Sequence, residues 1–327
     1  MSRIFITGAT GYIGGDVLYA LTQALSSCKI TALVRSKKKA SLITSKFPSV
    51  IPVIGDLNSA AQIASEASKA DVVLHLASSN HFPSATAIAQ GLTETQRQSP
   101  VWIQISGASL LSGAEVATSS YGQARAQNHN DLQGISEIRK IISSSPKRAV
   151  DQMLLNFSSE QPNVRTAIIY GPLIYGLGRG PVNQRSIQLP DLAKETLRLG
   201  HGVQVGKGLS CWSNVHIADL SNLVVRLVQE SEDRQGRNPL LWNENGIYFA
   251  ENGKMPFGEI SRRVAAFAFQ NGFTRSTYVQ EIDAETADIL TAHGALLGWK
   301  PAGPSIEEVI PRAVMDEALR LRSHAKI

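Results

Sequence analysis

The feature that most constrains this chain is the run TGATGYIGG, Thr7 to Gly15, which follows an apolar stretch (RIFI) directly. It opens a segment in which Val17, Leu18, Leu21 and Leu25 recur at helical spacing. Glycine at Gly8, Gly11 and Gly14 permits a tight turn, close approach of backbone to a phosphate, and close packing of helix on strand. Thr10, Tyr12 and Ile13 lie where the helix begins, and its unpaired N–H groups there suit an anion. A strand, this turn, a helix and a second strand make a βαβ unit built to hold a dinucleotide pyrophosphate.

Further short apolar runs, rich in β-branched residues, follow along the chain: ITALVR, VIPVIGDL, DVVLHLA, VWIQIS and VRTAIIYG. With helical patterns between them, they read as parallel strands buried on both faces. The fold class is therefore α/β, a Rossmann doubly wound parallel sheet with ligands at the carboxyl ends of its strands. After Gly171 the chain turns to a Gly- and Pro-rich stretch, GPLIYGLGRGPVNQRSIQLP, read as the start of a smaller, interleaved C-terminal lobe. The expected division is 1–171 for the cofactor domain, a return to it at about 212–250, and 172–327 mainly for substrate. The return is marked by WSNVHIADLSNLVVRLVQE, in which Leu220, Leu223, Val224 and Leu227 form one helical stripe.

The dinucleotide fingerprint calls for an acidic residue about 20 positions beyond the glycines to hold a ribose 2′-hydroxyl. Here the second strand ends instead in Val34, Arg35, Ser36 and Lys37, where a guanidinium and an ammonium can pair with a 2′-phosphate. NADP(H) is expected in preference to NAD(H). Asp56 and Leu57 close the third strand, where a carboxylate can accept the adenine amino group. Ala77 and Ser78 close the fourth, where small residues can pass under the ribose, while His75 reads as an interior histidine.

Composition excludes several classes. The net charge of +5 has one tight basic run, Arg35 and Lys37 to Lys39, without interleaved aromatic residues, so nucleic acid is not an expected partner. No stretch approaches about 18 consecutive apolar residues, and a strand begins within three residues of Met1, so neither a membrane span nor a signal peptide is expected and a cytoplasmic enzyme is. Cys28 and Cys211 stand alone without metal spacing, and no metal site is expected.

With these motifs assembled, the chain resembles the extended, here atypical, short-chain dehydrogenase/reductases of the NAD-dependent epimerase/dehydratase type. The resemblance rests on Thr7–Gly14, the GDL of Gly55–Leu57, the HLAS of His75–Ser78, the NVHIADLSN of Asn214–Asn222 and the LGWKP of Leu297–Pro301. It implies chemistry at a nicotinamide between the two lobes, a small-molecule substrate, and a structural role for His216 and Asp219. Members often pair through helices beside the Lys147 segment, which leaves a homodimer open.

Such proteins carry a Ser or Thr after the fifth strand and a Tyr-x-x-x-Lys in the next helix, the lysine lowering the tyrosine pKa. Ser106 matches the first and Lys147 the lysine, with Asp151 one turn on, but Ser143 stands where the tyrosine should be. Tyr121, in the long segment between Gly107 and Lys147, is one replacement; Tyr170 and Tyr175 border the implied substrate pocket. A proton could also pass through Lys147, Ser106, His129 or water, although His129 reads as a solvated loop residue. Trp212, Trp242, Tyr248 and Phe249 could line an apolar pocket or pack in the core.

Three functional readings follow. The first is an NADP-dependent oxidoreductase acting on a carbonyl, alcohol or imine of a small, largely apolar metabolite. The second is a dinucleotide-binding redox sensor or regulator without turnover, similar to the negative-regulator branch of the atypical proteins. The third is a non-redox isomerase or lyase on the same scaffold.

Overall fold

A computed structural model describes residues 2–124, 128–232, 238–282 and 302–324, apart from the side chains of 114–116 and 324. The six apolar runs become β1 (Arg3–Thr7), β2 (Lys29–Val34), β3 (Ile51–Ile54), β4 (Val72–His75), β5 (Val101–Gly107) and β6 (Arg165–Gly171). They lie in one parallel sheet, ordered 3-2-1-4-5-6, with a seventh strand, β10 (Ile247–Phe249), added beside β6.

Alternation along the strands explains why both faces are covered. Ile4 and Ile6 of β1 point into one core, whereas Phe5 points into the other. The first core is closed by α1 (Tyr12–Ala24), α2 (Lys37–Lys46) and α9 (Ile217–Glu232). The second is closed by α3 (Ala60–Lys69), α4 (Phe82–Thr93), α6 (Ile135–Ser144) and α7 (Ala149–Glu160), with the short α5 (Gly113–Thr118) following β5. One strand departs from the expectation of burial on both faces: β3 is the sheet edge, and its Ile51 and Ile54 are exposed because nothing pairs beyond it.

The smaller lobe has its own core. Strands β7 (Leu173–Tyr175), β9 (Cys211–His216) and β11 (Lys254–Pro256) form a mixed sheet, and β8 (Gly202–Val205) pairs in parallel with β12 (Val279–Ile282). Against them lie α8 (Gln188–Leu199), α10 (Phe257–Gln270) and α11 (Ile306–His324), burying Leu189, Ile260, Val264, Ile310 and Val314. Among the described residues no helix is long and apolar enough to cross a membrane.

The lobes are tied by buried charge. Asp219, at the start of α9, accepts the backbone N–H groups of Ala302 and Gly303 and the side-chain amide of Asn252. His216 packs its ring against Tyr175 and stands over Gly176, where a Cβ would lie 2.2 Å from its Nε2. Trp242, Tyr248 and Phe249 are all core residues, and Trp212 packs on Phe257, so these aromatic rings serve packing rather than lining a pocket.

Candidate functional site

The glycine turn sits at the carboxyl end of β1, and its glycines are dictated by contact. Gly8 has φ +82°, and a Cβ there would lie 2.7 Å from the Leu76 carbonyl carbon and 2.8 Å from the Ala77 nitrogen. A Cβ on Gly14 would come within 2.3 Å of the Gly8 carbonyl oxygen. The turn is thus pressed against both α1 and the end of β4. No side chain caps α1 at Gly11, which leaves its first N–H groups facing the space above the sheet.

That space is a cavity of about 420 Å³ lined by Gly8, Thr10, Gly11, Arg35, Asp56, Leu57 and Ala77, seven of the sequence-predicted cofactor residues. Its volume lies within the roughly 300–1,000 Å³ typical of ligand sites. Arg35 and Lys39 stand together in its wall, and neither makes an ion pair among the described residues. Lys37 is exposed and outside the wall; Ser36 caps α2 by accepting from Lys39 N, and the helix's third residue, Lys39, rather than its first lines the cavity with Arg35. Asp56 accepts from Asn58 N at 2.8 Å and Ser59 Oγ at 3.3 Å, which fixes the carboxylate at the rim.

Of the other predicted cofactor residues, Tyr12 donates its hydroxyl to the Gly176 carbonyl at 2.7 Å, and Ile13 packs on the core. Ser78 accepts from Asn80 N, while its carbonyl accepts from Gln104 Nε2. His75 is an interior histidine as expected, bonded to Thr7 Oγ1 at 2.6 Å and Ser84 Oγ at 3.1 Å, and burial lowers its pKa to about 4.

Two wall residues, Val182 and Asn183, come from the Gly- and Pro-rich stretch that the sequence assigned to the substrate side. Asp16 of α1, fully buried, holds that stretch down: it accepts from Arg179 N at 2.7 Å, from Arg179 Nε at 3.0 Å and Nη2 at 2.6 Å, and from Ser221 Oγ at 2.7 Å. Gly15 and Gly180 pass so closely that a Cβ on Gly180 would lie 2.8 Å from the Gly15 backbone. The glycines were the signal available in the sequence; the burial of Asp16 and its pairing across 163 residues were not.

Ser106, at the end of β5, is nearly covered at 5% exposure. The β4–β5 register pairs His75 with Gln104, and two residues beyond that pair stand Ala77, a cavity wall, and Ser106. Its Oγ donates to Asp151 Oδ2 at 2.8 Å and accepts from Arg148 Nη1 at 3.2 Å, and Arg148 Nη2 also donates to Ser109 Oγ at 2.7 Å.

The residues expected to complete the catalytic couple lie elsewhere. Pro146 ends the first helical segment: α6 stops at Ser144, a 3-10 turn covers Pro146–Arg148, and α7 starts at Ala149. Ser143 and Lys147 therefore do not share a helix face. Lys147 is exposed, no hydrogen bond or ion pair holds it among the described residues, and Arg148 turns inward beside Ser106. Tyr121 is half-buried; its segment docks on the turn after β8, where Leu209 N donates to the Gly122 carbonyl, and no hydrogen bond joins Tyr121 to Ser106. Tyr170 and Tyr175 are fully buried, with hydroxyls donated to Asp151 Oδ2 and the Pro304 carbonyl, so neither ring faces an opening as a substrate-pocket wall would. His129 is not a solvated loop residue, since its side chain is 11% exposed and its Nδ1 lies 3.4 Å from Glu137. The LGWKP segment lies outside the described residues.

The model of the NAD dependent epimerase/dehydratase family matches residues 4–240. A curated relative, Oxidase ucsJ of an Acremonium species, is 33% identical over a 344-residue alignment covering 98% of each chain. An uncharacterized protein of Schizosaccharomyces pombe is 28% identical, over 91% of this chain and 95% of its own. Among solved structures, the fold is similar to DesIV, a dTDP-glucose 4,6-dehydratase of Streptomyces venezuelae with NAD and TYD bound, at TM-score 0.67, 16% identity and 98% of both chains. It is also similar to a UDP-glucose 4-epimerase of Thermotoga maritima with UDP-glucose, at TM-score 0.66, 13% identity, 98% of this chain and 99% of that one.

Proposed function

Because the chain belongs to the NAD dependent epimerase/dehydratase family, a family of nicotinamide-dependent enzymes, we propose that it is an NADP-dependent oxidoreductase acting on a carbonyl, alcohol or imine of a small metabolite. The observation that carries this reading is the pair of cations, Arg35 and Lys39, without ion-pair partners among the described residues, in the wall of the glycine-turn cavity where the NAD fingerprint would place a carboxylate. The relative named an oxidase supports redox chemistry on this scaffold.

In this reading the amides of Gly11 to Ile13 receive the pyrophosphate, with Gly8 and Gly14 making room for it. Arg35 and Lys39 hold the 2′-phosphate, with Lys37 in reserve at the helix start. Asp56 and Leu57 border the adenine, and Ala77 and Ser78 underlie the ribose on the nicotinamide side. The nicotinamide, when bound, supplies hydride exchange. Ser106 then handles the proton at the substrate oxygen or nitrogen, with Arg148 rather than the exposed Lys147 beside it. The sugar-nucleotide epimerisation of the structural neighbours is less well supported, because this chain has no Tyr-x-x-x-Lys on one helix.

The near-closure of Ser106 favours a second reading, a dinucleotide-binding regulator without turnover. Following NADPH absorbance with a panel of ketones, aldehydes and imines separates the two. Oxidation of NADPH with at least one compound is the expected result; tight NADPH binding with none oxidised favours the regulator.

A further inference from the structure

Behind Ser106 lies a carboxylate that the pyridine-nucleotide site leaves unused. Asp151, in the first turn of α7, is fully buried. Its Oδ2 accepts two hydroxyls, Ser106 Oγ at 2.8 Å from β5 and Tyr170 OH at 2.9 Å from β6, while its Oδ1 has no partner among the described residues. Arg148, in the turn before α7, is the charged group that bears on it among the described residues, and it does so across Ser106. A tether between helix and sheet needs no such group. An amide would make the same two bonds without the cost of a buried charge, and a carboxylate oxygen left unpaired is an expensive thing to bury. Burial raises the Asp151 pKa against the lowering influence of Ser106, Arg148 and Tyr170.

We propose that Ser106 and Asp151 form a two-group proton relay that replaces the missing tyrosine. The inference rests on the oxidoreductase reading. In the reducing direction, the carbonyl carbon of the substrate receives hydride from the reduced nicotinamide and its C=O π bond opens onto oxygen. The Ser106 hydroxyl turns from Asp151 Oδ2 to that oxygen and gives up its proton, while Asp151, protonated on Oδ2, passes that proton to Ser106 Oγ. The resulting carboxylate keeps its bond from Tyr170 and faces the Arg148 charge until solvent returns the proton. Oxidation of an alcohol runs the same transfers in reverse. Ser106 is the group that touches substrate; Asp151, Arg148 and Tyr170 act through it.

The test has two arms. Infrared spectra of the unliganded protein should show a protonated carboxyl at about pH 6, where exposed carboxyls are ionised, and Asp151→Asn should remove that band. With a carbonyl that the wild-type protein reduces, Asp151→Asn and Ser106→Ala should each lower kcat by roughly 100-fold or more while NADPH affinity stays within about twofold. Asp151→Glu should recover part of the rate. Tyr170→Phe, which removes one donor from the carboxylate, should shift the Asp151-dependent limb of the pH profile upward. An Asp151 carboxyl that titrates at its ordinary value near 4, or a rate within about threefold of wild type in a folded, NADPH-binding Asp151→Asn, overturns the relay and leaves the oxidoreductase reading standing. No NADPH oxidation by the wild-type protein overturns both.

Discussion

Replacing Gly8 by alanine tests whether the glycine turn is built by contact as described. Two costs add. The residue holds φ +82°, where an L side chain costs about 1–2 kcal/mol. Its Cβ would also stand 2.7–2.8 Å from the Leu76 carbonyl and the Ala77 nitrogen, all backbone atoms that no rotamer change can move. Forcing a methyl into such a gap typically costs about 1–3 kcal/mol, giving roughly 2–5 kcal/mol in all. With an unfolding entropy of about 2.1 cal/mol/K per residue, that lowers Tm by roughly 3–7 °C. Gly200 supplies the control, since it has φ +78° at the end of α8 with nothing within 4 Å of a Cβ. Gly200→Ala should show the conformational cost alone. Because the collision displaces Ala77, a wall of the cavity, Gly8→Ala should also weaken NADPH binding at least about tenfold, and Gly200→Ala should not. Calorimetric melts and NADPH titrations read both effects. If Gly8→Ala costs no more than Gly200→Ala and binds NADPH normally, the packing argument for the turn is wrong.

Burial that lowers the His75 pKa from 6.5 to about 4 means that the folded state resists a proton the unfolded chain accepts. Stability from this group is complete above the unfolded pKa and falls as pH drops toward 4, by about 3 kcal/mol in total. Denaturant midpoints at several pH values should show that slope in the wild-type protein and lose it in His75→Gln. Arg179→Ala removes two of the donors to the fully buried Asp16 and should destabilise by about 2–4 kcal/mol, less than a fully buried pair because the guanidinium is about one-third exposed. The same change should weaken NADPH binding by freeing the strap that carries Val182 and Asn183, measured by titration beside the melt; unchanged affinity would detach the strap from the site.

The glycine turn, the six strands and seven cavity residues were legible in the sequence because each is marked by a local pattern in the chain. A strand end, a tight turn and a helix start mark Gly8, Thr10, Gly11 and Arg35 in the sequence, and the contacts with Leu76 and Ala77 then hold the turn in place. Lys39 was passed over for Lys37 because which face of α2 meets the cavity is not marked by such a pattern. The catalytic side was harder to read for a stronger reason. Spacing placed Ser143 and Lys147 four residues apart on an assumed continuous helix, and Pro146 interrupts it, so the inward side chain becomes Arg148. Gln152 then settles the break by donating to the carbonyls of Ile142, Ser143 and Ser145. Tyr170 and Tyr175 were set beside the substrate pocket by resemblance, with core packing as their other duty. What distinguishes a wall from a packed ring is the partner of its hydroxyl, and Asp151 and Pro304 are distant in sequence. The Asp16–Arg179 clamp, spanning 163 residues, has the same character.

The most direct test of the central claim is calorimetric titration of NADPH and NADH into the wild-type protein and Arg35→Ala. A charge-assisted bond to the 2′-phosphate is worth about 1.5–3 kcal/mol, so the account predicts tighter NADPH binding in the wild-type protein. Arg35→Ala should then lose roughly 10- to 150-fold of NADPH affinity with NADH affinity unchanged. Equal affinity for the two cofactors, or a loss in Arg35→Ala shared equally between them, would contradict it.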